Sequence, residues 1–145
     1  MSTFIANDFK SEVPVGWEDR STITLVGPVN NGFASNIVVT RQPLPTGTSV
    51  TEFATSQLEQ LAKEVPSLQI EDERSASLRG RELYQRLHQF DASDNMIIKQ
   101  VQTYLVHAFA SGTVGLVITG TSSPDGFDAA MPAFKQFVDA FDIVE

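Results

Sequence analysis

From Leu68 to Thr121 the chain adopts a hydrophobic period of two and keeps it through four runs, at residues 68–73, 81–90, 96–108 and 113–121. Successive side chains of a strand point to opposite faces, so this period predicts strands. Asp91-Ala92-Ser93-Asp94-Asn95 and Ser111-Gly112 join them with turn-forming residues, which predicts antiparallel neighbours. The longest run carries Met96, Ile98, Gln100, Gln102, Tyr104 and Val106 on one face, and Ile97, Lys99, Val101, Thr103, Leu105 and His107 on the other. Neither face is purely polar, so the sheet should be covered on both sides.

The cover should come from two amphipathic helices. Ser49-Val50-Thr51-Glu52 has the capping-box pattern, Pro66 closes the segment, and Val50, Phe53, Ala54, Leu58, Leu61 and Val65 form one apolar stripe. Gln57 falls inside that stripe. The second helix runs from Ser123-Pro124-Asp125 to about Phe141, with Phe127, Ala130, Met131, Phe134, Phe137, Val138 and Phe141 at helical spacing. Pro132 lacks an amide hydrogen, which predicts a short opening turn and a main helix from near Met131. Towards the N-terminus, Phe4 to Val13 reads as an edge strand, Pro14 to Asp19 as a turn carrying Trp17, and Ser21 to Val26 with Ser35 to Arg41 as a hairpin. Residues 27–32 have the Gly, Pro and Asn density of its connecting loop, and Gln42 to Thr48 reads as a linker. Antiparallel strands with flanking helices define an α+β domain, a single one over residues 1–145.

Composition narrows the function. The chain of 145 residues has no cysteine, so disulfides and thiolate zinc sites are excluded. Its formal net charge of −8, without a basic run, works against nucleic acid, whose affinity comes from Lys and Arg displacing counterions. No signal-peptide pattern opens the sequence, and no unbroken apolar run is long enough to span a bilayer. A soluble cytoplasmic protein without stable membrane association is the expectation.

Catalytic patterns are weak. Gly112, Gly115 and Gly120 interrupt one β-run, where close packing accounts for them better than a phosphate loop. His88 and His107 stand on separate strands without further ligands in register, and read as half-exposed strand histidines. Glu18-Asp19 and Glu71-Asp72-Glu73 read as solvated charges, and no serine sits in a nucleophile elbow. Trp17 is expected to plug one end of the core. No catalytic residue, metal ligand or cofactor site is therefore assigned. Two polar residues stay out of pattern, Gln57 on its helix stripe and Gln100 on a sheet face. An unpaired buried amide costs about 1–3 kcal/mol, so each is either bonded internally or open to a ligand.

The segments "VPVGWEDRS", "VVTRQPL", "SQLEQLAKEVP", "IIKQVQTYLV" and "MPAFKQFVDAF", taken in order, resemble the DcrB-like family, whose cytoplasmic members include the effector-associated (Eag) chaperones of bacterial type VI secretion. The resemblance implies the fold of PsbP and Mog proteins, a twisted antiparallel sheet flanked by two main helices. It also implies a homodimeric adaptor chaperone, without catalysis, that shields the hydrophobic N-terminal transmembrane helices of a secreted effector before loading. A segment of about 20 apolar residues is stable in a bilayer and must be covered in water. Carried over, the partner-binding positions are Thr22, Thr24, Val38, Gln57 and Gln100, with Ile98 beside Gln100 on the same face. At Thr22 and Thr24 the family tends to aliphatic residues, and here Ile23 and Leu25 hold the opposite parity; a one-residue register difference would exchange the two faces. The alternative is a non-enzymatic protein-binding or structural module of the same fold that docks onto a soluble partner.

Overall fold

A computed structural model describes residues 2–5, 8–30, 32–93 and 95–144, with 2–5 and 30 as backbone. Strands β1 (Ser2–Ile5) and β2 (Lys10–Val13) form a two-stranded sheet of their own among the described residues. Then come β3 (Thr22–Asn30), β4 (Phe33–Pro43), helix α1 (Val50–Glu64), β5 (Gln69–Leu78), β6 (Arg81–Ser93), β7 (Met96–Phe109), β8 (Gly112–Ser122) and helix α2 (Phe127–Ala140). Six strands form one antiparallel sheet in the order β3-β4-β8-β7-β6-β5. A hairpin, β3-β4, thus meets a four-stranded meander along the β4–β8 ladder. Helix α1 carries the chain from the hairpin to the meander's far edge.

Each helix takes one face. Phe53 and Ala54 of α1 pack on Tyr104 and Val117, whereas Phe137 and Val138 of α2 pack on the cluster of Val39, Leu83, Leu105 and Ile118. Two glycines of β8 set how close the helices come. A Cβ on Gly115 would lie 2.6 Å from the Phe53 ring, and one on Gly120 would lie 2.6 Å from the Phe134 ring. Positions 115 and 120 differ in parity, so each face has one smooth spot into which one phenylalanine descends. Three consecutive residues of β7, Thr103, Tyr104 and Leu105, are buried, as double coverage requires.

The capping box is made: Glu52 donates its backbone N–H to Ser49 Oγ at 3.1 Å, and Ser49 donates its own to Glu52 Oε1 at 3.2 Å. Four readings of the sequence need correction. Phe4 to Val13 is not one edge strand: Ile5 pairs with Lys10 as β1 turns back into β2, with residues 6 and 7 outside the described residues. Residues 27–30 are not loop, because β3 continues to Asn30 through an irregularity between Val26 and Val29. An edge strand tolerates Pro28, which has no outer partner to lose. Strand β5 runs on to Leu78, where Arg79 (φ 51°) and Gly80 (φ 75°) make a two-residue turn. Helix α2 is continuous through Pro132. The proline costs one bond, to the carbonyl of Asp128, and buried Phe127 and Phe134 anchor the helix on either side of it.

Candidate partner-binding face

Cross-strand partners share a face, so the register assigns every side chain. One row on the α1 side runs Thr22, Thr40, Val117, Tyr104, Tyr84, from β3 across to β6. The next runs Thr24, Val38, Thr119, Gln102, Arg86, and the third runs Val26, Asn36, Thr121, Gln100, His88. Ile98 follows on β7, opposite Phe90. Thr22, Thr24, Val38, Ile98 and Gln100 therefore lie on one sheet face, the one covered by α1. Gln57 sits on α1, one turn beyond Phe53 and Ala54 and half-buried. Ile23 and Leu25 pair with Val39 and Ile37 and belong to the α2 face.

The second and third rows pass from exposed at β3 to buried at β6, whereas the first is most buried at Val117 and Tyr104 and ends on half-buried Tyr84. Thr24 is exposed and Val38 half-buried, whereas Arg86 and His88 are 2% and 0% exposed. Arg86 is fully engaged: it donates to Glu73 Oε1 at 2.9 Å, to Tyr104 Oη at 2.8 Å and to the Ala54 carbonyl at 3.3 Å. It thereby ties α1 to the sheet. Tyr104 in turn donates to Gln102. Burial pushes the Tyr104 phenol up to about 12, with the Arg86 guanidinium opposing.

In the third row, Gln100 Nε2 donates to Thr121 Oγ1 at 3.1 Å, and its Oε1 lies 2.8 Å from His88 Nε2. An amide oxygen only accepts, so His88 carries its proton on Nε2 and Nδ1 is a bare acceptor. Nδ1 is buried without a hydrogen-bond partner among the described residues. Burial holds the imidazole below its usual pKa, with the Gln100 bond opposing and Arg86 adding to the depression. Of the two amides left open by the sequence, Gln100 is bonded internally. Gln57 has no hydrogen-bond partner among the described residues.

The face carries more apolar surface than the sequence indicated. Val26, Val29, Ile70 and Met96 are 72%, 71%, 43% and 46% exposed. Val26 is in the third row, Val29 pairs with Ala34, Ile70 with His88, and Met96 shares the parity of Ile98. All four point to the α1 side, beyond the cover that α1 provides. Two expectations fall here. His88 is buried rather than half-exposed, because its parity places it between Ile70 and Gln100 on the covered face. Trp17 does not plug the core; it is 75% exposed, on a segment outside the six-stranded sheet. Glu71 and Glu73 are exposed on the edge strand β5, as expected, and also pair with Lys99 at 3.3 Å and Arg86 at 2.9 Å.

Among the described residues, no three His, Asp or Glu side chains group as a metal site, and no helix is long and apolar enough to cross a membrane. A six-stranded antiparallel sheet with one helix on each face defines an α+β protein of the PsbP-like fold. The sequence profile of the DcrB family matches residues 11–140, and the chain belongs to that family. It is similar to PA94 of Pseudomonas aeruginosa, described as a protein of unknown function and putative regulator, at 17% identity and a TM-score of 0.84 over 100% of this chain and 98% of that one. It is also similar to LpqN of Mycobacterium tuberculosis, described as involved in cell envelope biogenesis (13% identity, TM-score 0.60, 87% of this chain and 85% of that one). A third neighbour is the cyanobacterial PsbP of Synechocystis sp. PCC 6803 (13% identity, TM-score 0.56, 92% and 98%). Comparison with curated protein sequences gives no match.

Proposed function

We propose that this chain is a non-catalytic, cytoplasmic adaptor chaperone that receives the hydrophobic N-terminal transmembrane helices of a type VI secretion effector on the α1 side of its sheet. The observation that carries the reading is the set of four exposed apolar side chains, Val26, Val29, Ile70 and Met96, on the sheet face that α1 partly covers, beside an α1 whose Gln57 has no hydrogen-bond partner among the described residues. An apolar helix laid there removes area from water at roughly 25 cal/mol per Å², and a polar atom left accessible on closely packed helices can pair with Gln57. Thr22, Thr24, Val38, Ile98 and Gln100 form the remainder of the surface. Gln100 acts there through its bonds to His88 and Thr121, which fix the third row.

The working unit is proposed to be a homodimer. Among the described residues the outer edge of β3 has no strand partner, Thr22 to Val29 are all exposed, and the strand contains no charge to deter pairing. Co-expression with a segment of two apolar helices tests the chaperone reading. Val26→Asp combined with Met96→Asp should send the segment to the insoluble fraction while the variant keeps its melting temperature; cargo that stays soluble with this variant overturns the reading. The second reading, docking onto a soluble partner, is favoured by exposed Trp17. It predicts a captured partner that is lost with Trp17→Ala and retained by the face variant.

A further inference from the structure

The opposite face holds a cavity of about 220 Å³ between α2 and the sheet. It arises from uneven seating of the helix. Gly120 lets the Phe134 ring rest against β8, whereas towards β5 and β6 the floor is made of Ala76 and Leu83, which do not reach up to fill the gap. Ile118 and Met131 complete the apolar wall.

One side of the cavity is polar in an ordered way. Arg74, Gln85 and Thr103 are direct cross-strand neighbours. Arg74 Nε donates to Gln85 Oε1 at 3.1 Å, and Gln85 Nε2 donates to buried Thr103 Oγ1 at 3.1 Å. This chain of bonds fixes the guanidinium while using only its Nε. The two terminal nitrogens of Arg74 have no partner among the described residues. In a protein of net charge −8, a cation oriented by neighbours and in no ion pair among the described residues, beside a cavity whose carboxylate, Asp139, is held by Lys135, is a prepared anion contact. Lys135 lines the same cavity, but its charge is shared with Asp139 at 2.5 Å. The Asp139 carboxylate weighs against a dianion such as a phosphomonoester and favours a single negative charge.

We propose that this cavity binds a small monocarboxylate with an apolar body, its carboxylate on the free edge of Arg74 and its body against Leu83, Ile118 and Phe134. The volume exceeds the ~150 Å³ that accepts benzene and falls short of the ~300 Å³ of drug-sized pockets, which points to about ten non-hydrogen atoms. A medium-chain fatty acid or an arylalkanoate has that size. The site lies on the face opposite the partner-binding surface and depends on none of its residues.

The test uses the full chain with octanoate, octan-1-ol and octylamine as probes, read by melting temperature and by amide shifts in 1H–15N spectra. Octanoate should raise the melting temperature with dose and shift amides of β5, β6 and α2, the alcohol should do so more weakly, and the amine should not. Arg74→Gln, at an exposed position, should weaken octanoate roughly tenfold and leave the alcohol unaffected. Ala76→Leu, with Ala76→Phe as a second filling variant, should block both. An octylamine response equal to that of octanoate, undiminished octanoate binding in Arg74→Gln, or no shift with any probe would each overturn the proposal.

Discussion

His88 is a neutral imidazole kept in the interior with one nitrogen bonded and the other without a partner among the described residues. Its pKa in the folded protein lies below the ordinary 6.5, chiefly through burial. As the pH falls through 6.5 the unfolded chain takes up a proton that the folded chain refuses, so this residue makes stability decline towards acid. Urea unfolding between pH 7.5 and 5.5 should show that decline, with a contribution of at most about 1.4 kcal/mol per pH unit from one proton. His88→Gln should remove it, and an unchanged slope in that variant would show that the proton is taken up elsewhere. At this scale the sequence was legible in type and not in setting. Gln57 and Gln100 both stood out as polar residues in apolar patterns, yet only the register shows that Gln100 faces His88 and Thr121 across the strands. A histidine of correct parity was visible on β6. Its burial was not, because burial depends on where a helix distant in sequence comes to lie.

The helices owe their height above the sheet to Gly115 and Gly120. Gly115→Ala should drive a methyl into the Phe53 ring and Gly120→Ala should do the same to Phe134, each costing about 1–3 kcal/mol by overpacking. Gly47 needs its glycine for a different reason: its Cβ position has open space, but its φ of 86° strains any L side chain, so Gly47→Ala should destabilise through the backbone alone and not through packing. Unfolding curves in which Gly115→Ala and Gly120→Ala match the parent protein would contradict this account of the packing. Both helices, and the strands β6, β7 and β8, could be read from period and caps because those signals are local. The last five residues of β5 were missed because Arg79-Gly80 is a weaker turn signal than Asn-Gly, and Ser75 and Ser77 blur the alternation. Pro132 misled in the opposite direction: a proline breaks a helix only when nothing on either side holds it, and Phe127 and Phe134 do.

For the whole molecule, the open edge at β3 is the feature with the largest consequence for assembly. Ile23→Lys with Leu25→Lys should convert a dimer paired through β3 into a monomer, read by light scattering after size-exclusion chromatography, while the Val26 and Met96 face remains intact. A dimer that survives this pair of charges is not built on that edge. The class of the fold was legible, since antiparallel runs with flanking helices admit few layered arrangements. The strand order was not, because β4 pairs with β8 across a separation that no local pattern records. The sheet face that collects Thr24, Val38 and Gln100 was correspondingly beyond derivation from spacing alone.

That same β4–β8 ladder sets an order of events during folding. The Ser35 and Ser122 hydroxyls that meet at its end are 87 residues apart, whereas β5 to β8 are linked by turns of a few residues. Loop closure favours the meander first, with α2 attached, and docking of the β3-β4 hairpin afterwards. Amide hydrogen exchange on the native protein should therefore resolve two cooperative units, with β3 and β4 opening at lower free energy than β7. A hairpin amide protected as strongly as those of β7 would mean that the two units open as one.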